Sequence, residues 1–127
     1  MPKTKKTRQY FEMTAELCKT FGHPKRLMII NVLRDKEITV TQLARETGIN
    51  KSNLSQHLHL LRENGLVTTR REGTKIFYCL SHSNIVKAFD LMTEFLDTKI
   101  SESHDIVSTG KLNLAKPSEK NQSKRRT

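Results

Sequence analysis

The chain has 127 residues, 35% of them hydrophobic, no Trp, and a formal net charge of +10. That length suits one domain with a modest core and polar appendages, and is short for two. No apolar run approaches the roughly 18 residues a spanning helix needs. The basic start MPKTKKTRQY has no apolar segment behind it, so no secretory leader is expected. The cytoplasm is the default location, and Cys18 and Cys79, far apart and in no metal-type spacing, agree with a reducing compartment.

The charge is unevenly placed. Residues 1–8 carry +4 and residues 110–127 carry +5, which leaves only +1 over 9–109. Within that middle part, 25–75 carries +5 and 83–105 carries −3. Such asymmetry implies one side facing a polyanion and another side with a different task. Basic runs are usually just solvated, so the two tails alone say little.

RQYFEMTAELCKTF places Phe11, Ala15, Cys18 and Phe21 on one helical stripe, where Cys18 reads as a small core hydrophobe. GHP ends that helix, with Gly22 suited to a C-terminal cap and Pro24 to the first turn of the next. PKRLMIINVLRD is then a short helix apolar over much of its circumference. TVTQLARETG has Thr39 three residues before Gln42, a capping-box signature, and stops at Gly48. NKSNLSQHLHLLRENG follows, with Asn50 as its cap and Ile49 able to staple onto Leu54.

After Gly65 the period changes. LVTTRREGTKIFYCL is β-branched and aromatic and is broken at Glu72-Gly73, so a two-stranded hairpin with a basic tip is predicted. SNIVKAFDLMTEFLDTKI closes the ordered part as a helix. The predicted organisation is a basic arm over 1–8, one domain over 9–105, and a basic tail over 106–127. That tail is too poor in apolar residues to repay its ordering entropy, and disorder is expected there.

A short helix, a turn beginning at Gly48 and a second helix with early polar residues outline a helix-turn-helix. At 100° per residue, Leu54, Leu58 and Leu61 fall within about 60° and define the buried side. Opposite them lie Ser52, Gln56, His59 and Glu63, with Asn53 and Leu60 on one shoulder. Ser52, Asn53 and Gln56 thus project at the helix N-terminus, where a recognition helix meets base edges. Thr39, Thr41 and Lys51 are candidates to hold phosphates, as are Arg70, Arg71 and Lys75 on the hairpin. His57 lies nearer the buried edge, which favours a packed, hydrogen-bonded histidine over a DNA contact. Ser, Asn and Gln are common on any solvated helix; the basic hairpin that follows tips the reading towards double-stranded DNA.

TFGHPKRLMIINVL and VTQLARETGINKSNLSQHLHLLRENGLVTTRREGTKIFYCL together resemble the ArsR/SmtB family of winged-helix repressors over about residues 12 to 100. The motifs that carry this are the Pro–x–Arg–Leu entry to the second helix, Ser55-Gln56-His57-Leu58, Gly65-Leu66-Val67 and Arg71-Glu72-Gly73. The resemblance implies a mainly α winged helix-turn-helix of about five helices plus a two-stranded wing. It also implies a homodimer through the first and last helices, with Phe11, Phe89, Met92, Phe95 and Leu96 as interface candidates, reading an inverted repeat. The metal sites of the family do not carry over. Its Cys-x-Cys positions are Thr39 and Thr41 here, poor ligands for soft metals. Its last-helix ligand positions are His82, Asn84, Phe95 and Thr98, and its redox cysteine in the second helix is Asn31. No metal or cofactor is expected, and the sequence identifies no effector.

The expectation is a sequence-specific dimeric regulator, as a repressor. A non-specific or architectural nucleic-acid binder and a protein-interaction module are the alternatives. No enzyme is expected, since no nucleophile set, phosphate-cradling glycine loop or acid pair is present.

Overall fold

The structure is a computed structural model and describes residues 5–103. In chain order it contains α1 (Arg8–Phe21), α2 (Pro24–Val32), β1 (Ile38–Thr39), α3 (Val40–Thr47) and α4 (Lys51–Glu63), then β2 (Val67–Glu72), β3 (Lys75–Leu80) and α5 (Ser83–Glu102). The arm expected over 1–8 thus overlaps the first residue of α1, and the tail expected over 106–127 lies outside the described residues.

Each early helix begins where a side chain can take an orphaned backbone N–H. Thr7 caps α1 by accepting from Tyr10 N at 3.3 Å. His23 caps α2 through Nδ1, which accepts from Lys25 N at 3.1 Å, with Pro24 in the first turn. In α3 the capping box closes in both directions: Thr39 Oγ1 accepts from Gln42 N, and Thr39 N donates to Gln42 Oε1 at 3.0 Å. Asn50 Oδ1 accepts from Asn53 N at 2.8 Å to start α4. Gly48 ends α3 at φ 75°, a left-handed backbone that glycine adopts without a Cβ clash, and its N–H donates to Ala44 O.

The sheet has one strand more than the predicted hairpin. Its order is β1-β3-β2, because Ile38 and Thr39 pair with Tyr78 and Phe77. Two residues joining a helix cap show no period, so no sequence pattern could mark them as a strand. The hairpin pairs Val67 with Leu80 through to Glu72 with Lys75. It turns through a two-residue loop with Gly73 first at φ 64°, the position that tight hairpin turns reserve for glycine.

The core lies among α2, α3, α4 and the base of the sheet. Ile29, Ile30, Leu43, Leu54 and Leu61 are fully buried, with Leu58 and Val67 at 1% exposure. Ile49 and Leu54 both belong to this cluster, and Ile85 joins it from the start of α5. Burying each such side chain stabilises by about 1.5–3 kcal/mol.

α1 contributes little to that core: Thr20 is its one buried residue. Cys18, expected inside, is exposed, because the stripe it shares with Phe11 is not covered by the folded chain. The chain divides after Phe89 into two units. In the second, Leu91, Met92 and Phe95 of α5 are 66%, 70% and 56% exposed, and Lys99 Nζ lies 5.7 Å from the Phe95 ring centre.

Candidate nucleic-acid interface

α4 sorts its residues as the periodicity requires. Leu54, Leu58 and Leu61 are buried, while Lys51, Ser52, Ser55 and Gln56 are exposed and Asn53 is half-buried. Ser52 and Gln56 are one helical turn apart and lie on the same face. Further along that face, His59 Nε2 sits 2.6 Å from Glu63 Oε1. A carboxylate there repels phosphate, so the end of the helix suited to DNA is the N-terminal one. The first turns of α3 and α4 contain no acidic residue, which leaves the positive end of each helix dipole open to an anion. Thr41 is exposed at the start of α3. Thr39 is half-buried, with its hydroxyl held by Gln42 at 3.3 Å.

His57 is tied to the domain. Arg26 Nε donates to His57 Nδ1 at 3.2 Å, Arg26 Nη1 donates to Thr20 O at 3.2 Å, and the His23 and His57 rings are 4.6 Å apart. This cluster joins the end of α1, the start of α2 and the middle of α4. Arg26 was absent from the candidates read in the sequence, although the PKRL motif contains it. An arginine 31 residues from its histidine partner leaves no local spacing to detect. Partial burial, helped by the charges of His23, Arg26 and Lys25, holds the His57 imidazole below its usual pKa. A neutral ring with Nδ1 accepting is what the Arg26 bond needs.

A pH dependence follows. Protonating His57 costs more in the folded than in the unfolded chain. Its contribution is therefore complete above the unfolded value of about 6.5 and is lost as pH falls below it. His57→Asn keeps an acceptor near the Nδ1 position and cannot titrate. Thermal unfolding should show wild type losing stability against His57→Asn between pH 7 and pH 5. A constant difference across that range would exclude a role for His57 titration.

In the wing, alternation divides the basic residues between two faces. The register puts Arg71 opposite Ile76, on the face shared with Val67, Tyr78 and Leu80. Arg70, opposite Phe77, and Lys75, opposite Glu72, lie on the other face. Arg71 and Lys75 are exposed and form no ion pair among the described residues. Arg70 is held by two carboxylates: Nε and Nη2 donate to Glu37 Oε1 at 3.1 and 2.8 Å, and Nη1 to Glu72 Oε2 at 2.6 Å. Its Cζ also lies 4.8 Å from the Phe77 ring centre. These bonds raise the Arg70 pKa further and hold the Glu37 carboxyl below its ordinary value. Glu37, an acid in a basic stretch, was not singled out in the sequence.

Of the dimer candidates, Phe11, Met92 and Phe95 are exposed and Leu96 is half-buried, whereas Phe89 packs against the core with Arg34 5.9 Å from its ring centre. Among the described residues no three His, Cys, Asp or Glu side chains converge on a metal-sized site. His82 Nδ1 accepts from Asn84 N at 2.9 Å, and Cys79 shares a hydrogen bond with the Thr68 hydroxyl at 3.3 Å. No helix among the described residues is long and apolar enough to cross a membrane.

Residues 23–69, from the α2 cap to the first wing strand, match the family described as bacterial regulatory protein, arsR family. The chain is 45% identical over 69 residues to the biofilm growth-associated repressor of Xylella fastidiosa, covering 54% of this chain and 60% of that relative's length. It is 35% identical over 98 residues to the nodulation protein NolR of Rhizobium meliloti, covering 76% and 80%. It superposes with a TM-score of 0.70 on the solution structure of a homodimeric winged helix-turn-helix DNA-binding domain from Mycobacterium bovis. That match is 27% identical over 82% of this chain and 96% of the other. Motif, sheet and likeness agree: the chain belongs to the arsR family of bacterial regulatory proteins, DNA-binding transcriptional regulators built on a winged helix-turn-helix.

Proposed function

We propose that this protein is a homodimeric repressor, acting in the cytoplasm, that occupies an inverted-repeat operator and lowers promoter access. The observation that carries the reading is the exposed Ser52–Gln56 row at the acid-free N-terminus of α4, followed in sequence by a wing whose Arg71 and Lys75 are unpaired among the described residues. Ser52, Asn53 and Gln56 read base edges; the Gln56 amide offers the donor and acceptor that adenine matches in the major groove. Lys51, Thr41, Arg71 and Lys75 contact phosphates and set the register. Repression is supported by the name of the Xylella relative, and dimerisation by the homodimeric mycobacterial domain together with the exposed apolar residues of α1 and α5. We further propose that the basic arm at 1–8 and the tail at 106–127 flank a domain over 9–105 and add sequence-independent attraction to DNA.

Footprinting on the region upstream of its own gene tests this. A short protected inverted repeat is expected. Gln56→Ala should weaken binding there by about 1–3 kcal/mol while changing affinity for scrambled DNA little. Equal losses on both DNAs, or no protected site, would favour the non-specific binder instead.

A further inference from the structure

Arg70 is one of three cations around the wing turn, and by sequence it belongs with Arg71 and Lys75 as a phosphate contact. Its surroundings set it apart. Three of its five N–H donors are spent on two carboxylates, and one face of the guanidinium is stacked on Phe77. With Glu37 and Glu72 it forms a group of net charge −1, a poor partner for a phosphate. The same bonds have an architectural effect. Glu37 immediately precedes β1, whose next residues, Ile38 and Thr39, pair with β3 and cap α3. Arg70 lies on β2, at the far side of β3. The Glu37–Arg70 bonds therefore cross the whole sheet and link the wing to the entrance of the helix-turn-helix. β1 itself pairs through only two residues, which leaves the hairpin few other restraints on that side.

We propose that Glu37 and Arg70 form a strut fixing the angle of the wing, and that the phosphate grip of the wing belongs to Arg71 and Lys75. Both are positioning residues. The proposal rests on the reading of the wing as a DNA-contacting element, and the two can fail separately.

The test uses the full chain, a duplex carrying the footprinted site, and a scrambled duplex of equal length, each titrated over a range of salt. Removing a single phosphate-binding cation flattens the slope of log K against log salt by about 0.9. Arg71→Ala and Lys75→Ala should each flatten it on both duplexes. Arg70→Met and Arg70→Lys should both leave the slope unchanged and weaken the footprinted duplex about three- to thirty-fold, since a lysine cannot bridge two carboxylates and stack. Glu37→Gln should weaken it in the same direction, although it removes a negative charge. Scrambled DNA should notice none of these three. Thermal unfolding verifies that each variant is folded, and the mild Glu37→Gln stands in where an Arg70 variant is not.

If Arg70→Met flattens the slope while Arg70→Lys matches wild type, or if Glu37→Gln tightens binding, the strut is overturned and Arg70 is a phosphate contact. If Arg71→Ala and Lys75→Ala leave the slope untouched, the DNA-contacting wing is itself wrong, and the assignment of grip falls with it.

Discussion

A chain carrying Met92→Glu and Phe95→Glu is expected to sediment as a monomer and to lose operator affinity by about two to four orders of magnitude. The two side chains are 70% and 56% exposed, so neither holds up a core in the single chain. Placing carboxylates on them should leave the fold intact, since surface changes usually stay within about 0.5 kcal/mol. In a dimer paired through this face of α5, as proposed, the same positions would be desolvated, and a charge buried there without a partner is strongly unfavourable. Two half-site readers then become independent. The loss of roughly 10²–10⁴ in affinity is the avidity that tethering two modest binders supplies. Analytical ultracentrifugation with a paired binding titration measures both effects. A variant that stays dimeric would move the interface away from this face of α5. A monomer that still binds the full operator with unchanged affinity would remove the dimeric reader altogether.

Leu58→Ala is the second large effect. Leu58 is 1% exposed, on the side of α4 turned away from Ser52 and Gln56. Truncation leaves a cavity that neighbours fill only in part, at a cost of about 2–5 kcal/mol. Against a total stability of about 5–15 kcal/mol that is a large share. For a domain of this size the melting temperature should fall by roughly 10–30 °C. Leu60→Ala, two residues along the same helix, is the matched control: Leu60 is 39% exposed and its loss should cost little. Differential scanning calorimetry on the pair measures which side of α4 faces the core. Equal losses would mean that its buried side is not the one Leu54, Leu58 and Leu61 define.

The contrast between Leu58 and Leu60 was legible before any fold was known, because 3.6-residue periodicity is a local property. So were the caps: Thr39 with Gln42, Asn50, and the glycine stops are short-range chemistry, and each appears where its spacing places it.

Other features arose only when distant segments met. β1 exists because Ile38 and Thr39 find Tyr78 and Phe77 across some forty residues of chain. Cys18 read as core because its stripe is apolar, yet whether an apolar stripe is covered depends on what packs over it. Arg70, Arg71 and Lys75 looked alike in a row of basic letters. The sheet register separated their faces, and Glu37 neutralised one of them. His57 gained its partner from Arg26 in the same way. By itself, then, the sequence determined which helices form, which side of α4 is buried, and that a polar row opens it, since these follow from neighbours within a few residues. Only the tertiary structure decided which of the charged and polar side chains remain available to a polyanion, because an ion pair between residues more than thirty positions apart has no local signature.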